Sequence, residues 1–385
     1  MRTMQNILVI LMVLVMTSCA STKKPVPLSD SQQITTQMLL ESSPLLDGAD
    51  PVDLSQIDVL ELSPEMIEFM DRWVDDNEGD YARLRRLLYA VMGDGTFEVI
   101  YDDTTRTAKE TFQDQRGNCL SITSMFVAMA RYVGLHADYQ EVTVPPDWSV
   151  SGQTFILNKH VNVYIRIDSR RDQMIDFNMA DVHMSYDRQV ISDRRGRAHY
   201  FNNKGVELML EGDTSLALAN FLESLGEDRS FAPAWINLGI LYSRNDYPNY
   251  AEASYLEALE HGGTSLVAMN NLAALYDREG HSELAAYYED LIESHRMQNP
   301  YYRYHLARSA FENEDYATAI DQLNAAIRMN RNDDSFYFLM SLSYLNTGDK
   351  ESAQRWMKKA EDVAEMSTDK QRYHSKLDLL MSNGD

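Results

Sequence analysis

The chain has 385 residues, a length that suits two domains, and 59 acidic against 35 basic side chains give it a formal net charge of −24. A field of that sign repels a phosphate backbone, so the composition argues against nucleic acid as a partner. Among 385 residues there are 2 cysteines, Cys19 and Cys119.

The first element is the opening MRTMQNILVILMVLVMTSCAS, in which Arg2 precedes an apolar run from Ile7 to Met16 and then small residues. That order is the order of a secretory signal peptide, and the run is too short to span a bilayer. Met16-Thr17-Ser18-Cys19 resembles the lipobox of bacterial lipoproteins. The resemblance implies that residues 1–19 form a lipoprotein signal peptide and that Cys19 is lipidated as the mature N-terminus. It also implies an envelope location, because Ala20 rather than Asp follows the cysteine, which favours the outer membrane facing the periplasm. The same residues also read as an ordinary cleaved signal peptide with a chance cysteine. Residues 20–57 are rich in Ser, Thr, Gln and Pro without clear periodicity and read as a flexible tether. With Cys19 lipidated, Cys119 is a single thiol in an oxidising compartment. It is then either buried and inert or kept for its reactivity.

Residues 58–197 mix helix and strand signals. Ser63-Pro64 is a cap and first-turn pair before EMIEFMDRWV; YARLRRLLYAVMG follows and ends at Gly93; a third helix spans roughly Thr107 to Gln113. The run CLSITSMFVAMARYVG then has helical period, with Cys119, Ile122, Phe126, Met129 and Val133 on one face and Gly134 closing it. Cys119 therefore opens a mostly buried helix, where backbone N–H groups and the helix dipole favour an anion. A cysteine on an apolar face also reads as a small core hydrophobe. Strands are expected over 137–144, 159–167 and 173–179, with a Pro145-Pro146 turn and loop between the first two. In the second, Val161, Val163, Ile165 and Ile167 face one way and His160, Asn162, Tyr164 and Arg166 the other. A hairpin loop over Ile167 to Ser169 puts His160 opposite Asp176; a loop centred on Arg170 displaces them by four residues. Both registers keep the two side chains on one face.

From residue 198 a 34-residue period holds without insertion. Small residues recur at Ala217, Ala251, Ala285, Ala319 and Ala353, and at Gly205, Gly239, Ala273, Ala307 and Ser341. Turns such as EGD, REGH, NED and TGD separate the two helices of a repeat. The spacing, and the match of Trp235, Leu238, Gly239, Tyr242, Ala251, Tyr255 and Ala258 to the family offsets, resembles tetratricopeptide repeats. Residues 198–385 are thus expected to form five such repeats and a polar capping helix from about Ala360 to Leu380, an all-α solenoid. The resemblance implies a groove for a protein or peptide.

A thiol at a helix start, a His on a strand and a carboxylate on the next strand form a nucleophile, a proton carrier and an orienting group. "TAKETF", "RGNC", "GLHADYQEV", "HVNVYI" and "MIDF", in that order, resemble the transglutaminase-like superfamily, relatives of papain-type cysteine hydrolases. The resemblance implies an α+β domain with a central helix packed on an antiparallel sheet. It implies Cys119 as nucleophile, His160 as general base and acid, and Asp176 as orienting carboxylate. The residues after the His and the Asp depart from common family patterns, which bears on substrate class. Gln113 and Gln115 are candidate oxyanion donors and Trp148 a candidate cleft wall. His136, His183 and His199 lack metal-ligand spacing, so no metal and no cofactor is expected. The function so implied is a membrane-tethered amidase, protease or acyltransferase acting on peptide or protein amides. A non-catalytic adaptor for envelope assembly is the alternative.

Overall fold

The computed structural model describes residues 34–41, 43–46, 52–75, 77–93, 97–151, 154–168, 171–177, 187–262, 265–364 and 367–382. Its first packed segment falls where a free tether was expected. Helix α1 (Thr36–Glu41) puts Leu39 into the core of the first repeats, and the Tyr242 hydroxyl donates to the Leu39 carbonyl at 3.1 Å. The turn Pro44–Leu46 adds Leu45 and Leu46 to the same core. Leu54, Ile57 and Val59 enter the core of the next body. The few leucines in this polar stretch bury apolar surface, and that holds the expected 20–57 tether down from Ile34 on.

The next body is built on a central helix. Ser63 caps α2 (Pro64–Trp73) by accepting from the Met66 N–H; α3 (Asp80–Met92) follows; a Thr107/Glu110 capping box starts α4 (Ala108–Asp114). The strands β1 (Ile100–Tyr101) and β2 (Arg116–Gly117) pair in parallel and lead into α5 (Cys119–Tyr132). Asn118 caps α5, and the helix is buried from Leu120 to Ala130. A four-stranded antiparallel sheet runs β5 (Arg171–Ile175), β4 (Thr154–Asp168), β3 (His136–Ser151), β6 (Arg188–Ile191). Val161, Val163 and Ile165 of β4 pack with Phe126 and Met129 of α5, so the apolar face read from the alternation is the core face. The expected loop at Pro145-Pro146 is instead part of β3, with a register shift between Thr143 and Trp148. Proline gives the ladder no N–H but fits extended backbone, so the strand breaks register and resumes.

The remainder is five helix pairs among the described residues: α6 (Asp193–Glu211) with α7 (Thr214–Glu227), α8 (Ala232–Arg244) with α9 (Pro248–Gly262), α10 (Leu266–Arg278) with α11 (Ser282–Arg296), α12 (Pro300–Glu312) with α13 (Tyr316–Met329), and α14 (Asp334–Asn346) with α15 (Lys350–Val363). Helix α16 (Ser367–Ser382) closes the array. The turn inside each pair holds one left-handed residue, at Gly212, Asp246, Gly280, Glu314 and Gly348, which are 34 apart. Small residues sit where the helices cross: a Cβ on Gly205 would meet the Phe221 ring at 2.5 Å, and one on Gly239 the Tyr255 ring at 2.5 Å. Helix α6 begins before residue 198, so one helix bridges the two bodies.

That junction is ionic as well as covalent. Glu141 of β3 accepts from Arg195 Nε and from His199 Nε2 of α6, each at 2.7 Å. Arg195 also reaches Asp228 at 2.9 Å and lies 4.3 Å over the Phe231 ring. Burial alone would raise the Glu141 pKa; the hydrogen bonds and charges of His199 and Arg195 outweigh it and hold the carboxyl well below its usual range. Its stabilising contribution is therefore present above the ordinary carboxylate pKa and is lost only in strong acid. Glu141→Ala removes the buried acceptor that Arg195 and His199 share and is expected to destabilise the chain by about 3 kcal/mol at pH 7, measured by urea unfolding; an unchanged midpoint would contradict it.

Candidate active site

The site is assembled by three short elements. Gly117 lets the chain turn into α5: a Cβ there would lie 2.6 Å from Ser121 Cβ. Asn118 fixes the turn by accepting from the Ser121 N–H at 3.0 Å and donating to Thr105 Oγ1 at 2.8 Å. Cys119 is thereby placed in the first turn of the buried helix, half-buried and free of any disulfide. His160 of β4 faces it, close enough for the thiol and the imidazole to interact electrostatically.

Asp176 follows the last residue of β5. Because Val163 pairs with Ile175, Asp176 falls beside Asn162, two residues along from His160. The register is thus midway between the two that the sequence left open, and the pair meets on the diagonal, which a long side chain reaches. His160 Nε2 lies 2.8 Å from both Asp176 oxygens, and Asn162 Nδ2 donates to Asp176 Oδ2 at 3.0 Å. With Nε2 on the carboxylate, Nδ1 is the ring nitrogen left to face the thiol. Burial alone would lower the imidazole pKa; the Asp176 bond, then the Cys119 interaction, and the charges of both outweigh it and push it up to about 9. The group therefore holds its proton across the neutral range. Burial and the Cys119 charge raise the Tyr101 pKa. Tyr101 also lines a cleft of about 370 Å³ with Val91, Phe97, Val99, Ile122 and Phe177, a cleft that Cys119, His160 and Asp176 do not line.

The remaining sequence candidates fare differently. Gln113 and Gln115 are exposed, and among the described residues no hydrogen bond takes either side chain to the thiol. Gln115 is the left-handed cap of α4, and its carbonyl accepts from the Ile100 N–H at 2.9 Å; its place is set by backbone geometry. The side chain of Trp148 lies outside the described residues, as do all of Cys19 and His183. His199 is held at the junction by Glu141, and His136 opens β3. Two residues that the sequence reading passed over matter: Asn162, which anchors the carboxylate, and Asn118, which sets the start of α5. Asn162 could have been found from parity, since it shares a face with His160.

Comparison with known proteins agrees with this architecture. The family model described as the transglutaminase-like superfamily matches residues 67–174, and the tetratricopeptide repeat model matches residues 334–365. The chain thus carries a transglutaminase-like core domain followed by a helical repeat array. No curated protein matches the chain. Among solved structures, MamA matches at 18% identity over 43% of this chain and 91% of its own, with a TM-score of 0.25. YrrB, described as a TPR protein with an unusual peptide-binding site, matches at 18% over 46% and 91%, TM-score 0.24. PilF of Pseudomonas aeruginosa matches at 18% over 50% and 87%, TM-score 0.27.

Proposed function

We propose that this chain is a thiol-dependent amidase, protease or acyltransferase of the transglutaminase-like type, whose repeats bind its protein or peptide substrate. The observation that carries the reading is the placing of His160 between two partners: its Nε2 lies 2.8 Å from Asp176, and the ring interacts electrostatically with the Cys119 thiol. His160 holds the proton drawn from the thiol, so the sulfur attacks an amide carbonyl carbon as the thiolate, forming a C–S bond. The charge that gathers on the carbonyl oxygen is met by the backbone N–H of Cys119 at the start of α5. The C–N bond then breaks as the imidazolium hands its proton to the leaving amine. The thioester so formed is attacked by water or a second amine, with His160 again accepting the proton, and the C–S bond breaks to restore the thiol. Asp176 and Asn162 keep the ring oriented throughout.

The lipobox resemblance at Cys19 supports a membrane-tethered protein, anchored by lipid in the outer membrane and facing the periplasm. No helix among the described residues is long and apolar enough to cross a membrane. Incubation with periplasmic extract is expected to yield cleaved or cross-linked products that disappear in Cys119→Ala. Identical product profiles from the two proteins would leave the adaptor reading, in which the repeats alone carry the function.

A further inference from the structure

The thiol lies on a wall shared by the two bodies. On an α-helix, at about 100° per residue, Ile122 falls about 60° to one side of Cys119 and Leu120 about 100° to the other. The Ile122 side opens into the cleft already described. On the Leu120 side, Cys119 lines a small cavity of about 60 Å³ whose far wall includes Asn202 and Asn203 of α6 and Pro233. The same Asn202, Asn203 and Pro233 line a larger groove of about 380 Å³ that runs along α6 and α8 under Thr105 and Asn118. A groove across the first helices of two repeats therefore shares three wall residues with the cavity at the thiol.

Its lining states what it would hold. The walls are mainly apolar, with Val206, Met209, Ile236 and Ile240; the polar groups among them are carboxamides, Thr105 and the charged Asp103, Glu207 and Arg244. Asn203 and Asn237 are 34 residues apart, the same position in consecutive repeats. Asn237 Nδ2 donates to Asn202 Oδ1 at 2.8 Å, which orients the row. Glu207, the acidic group on α6, is already engaged by the Thr105 N–H at 2.6 Å and Lys204 at 3.0 Å. An apolar segment matches such walls. A carboxamide offers one donor group and one acceptor, the pair that each residue of an extended main chain presents. Packed helices lie about 8–10 Å apart, the span of about three extended residues at about 3.3 Å each.

We propose that the first two repeats form one half of the thiol site, with Asn203 and Asn237 holding the main chain of an extended apolar polypeptide whose attacked carbonyl lies at Cys119. This rests on the thiol-chemistry reading above and narrows its substrate: the polypeptide backbone itself reaches the sulfur, rather than a lone side chain from a folded surface.

The test uses the full chain and two epoxysuccinyl diamides, one bare and one with an Ala-Leu-Ala arm on each side. The thiolate opens the epoxide, forming C–S and breaking C–O, and the oxygen takes a proton; the label is located at Cys119 by peptide mass spectrometry. The arms are expected to raise the labelling rate at least about 10-fold. Asn203→Ala and Asn237→Ala are each expected to lower the armed rate about 5- to 10-fold, the loss of one hydrogen bond. The bare-reagent and iodoacetamide rates should stay at wild-type values, which also reports an intact fold. No gain from the arms on a reactive thiol, or equal losses with both reagents, overturns the proposal alone. A thiol inert to every reagent overturns the thiol-chemistry reading and this proposal with it.

Discussion

With His160 replaced by alanine, Cys119 alkylation by iodoacetamide is expected to slow roughly 10- to 100-fold at pH 6. The imidazole is the proton acceptor in contact with the sulfur, and Asp176 keeps it charged well into the alkaline range. The sign follows from that contact. The folded imidazole titrates at about 9, above its ordinary value near 6.5. Its contribution to stability is complete below the ordinary value and fades as pH rises through about 9. His160→Ala should therefore cost most stability near pH 6 and least above the folded titration. Acyl transfer needs the imidazolium to protonate the leaving amine, so it should decline above that pH while alkylation does not. Alkylation profiles that superimpose for wild type and His160→Ala would show that the imidazole does not activate the thiol.

The repeat array was legible because a 34-residue period writes the same steric demand at each turn. Gly205 and Gly239 could be placed at helix crossings before any coordinates, and the Phe221 and Tyr255 rings occupy the space their missing side chains leave. Two residues of the site were legible for a different reason: side chains two apart on a strand share a face, so His160 and Asp176 stay together in every register of even parity. The register itself was not legible. It depends on the irregularity between Arg166 and Asp168, where the pairing shifts by a residue, and no hydrophobic pattern reports that. Strand β6 was missed because Arg188 to Ile191 is too short to show alternation. The docked N-terminal segment was missed because its composition is that of a linker, and only Leu39, Leu40, Leu45 and Leu46 speak against it. The wall of asparagines at the thiol was hidden by domain reasoning. Asn202 and Asn203 were read as repeat residues, and the approach of α6 to α5 is a tertiary fact.

That approach makes the array's integrity a condition of the site, and Trp235→Ala is expected to expose the dependence. Trp235 is fully buried, its indole N–H donates to the Arg229 carbonyl at 2.9 Å, and its ring stacks on His261 with centroids 6.2 Å apart. Truncation empties a large volume at a cost of about 3–5 kcal/mol. The neighbouring contact of Gly239 with Tyr255 is already at closest approach, so α8 and α9 have little room to collapse into the gap. In a repeat array, stability is a sum of repeat and interface contributions, so a failing second repeat separates α6 and α7 from α10 onward. Urea unfolding followed by circular dichroism is expected to split into two transitions, the first several tenths of a molar or more below the wild-type midpoint. Pro233 at the start of α8 lines the thiol cavity. Labelling of Cys119 by the armed reagent should therefore fall with that first transition. Iodoacetamide labelling should persist until the second, when α5 and the sheet unfold. A single transition at the wild-type midpoint would mean that the second repeat is not what holds the two bodies in register.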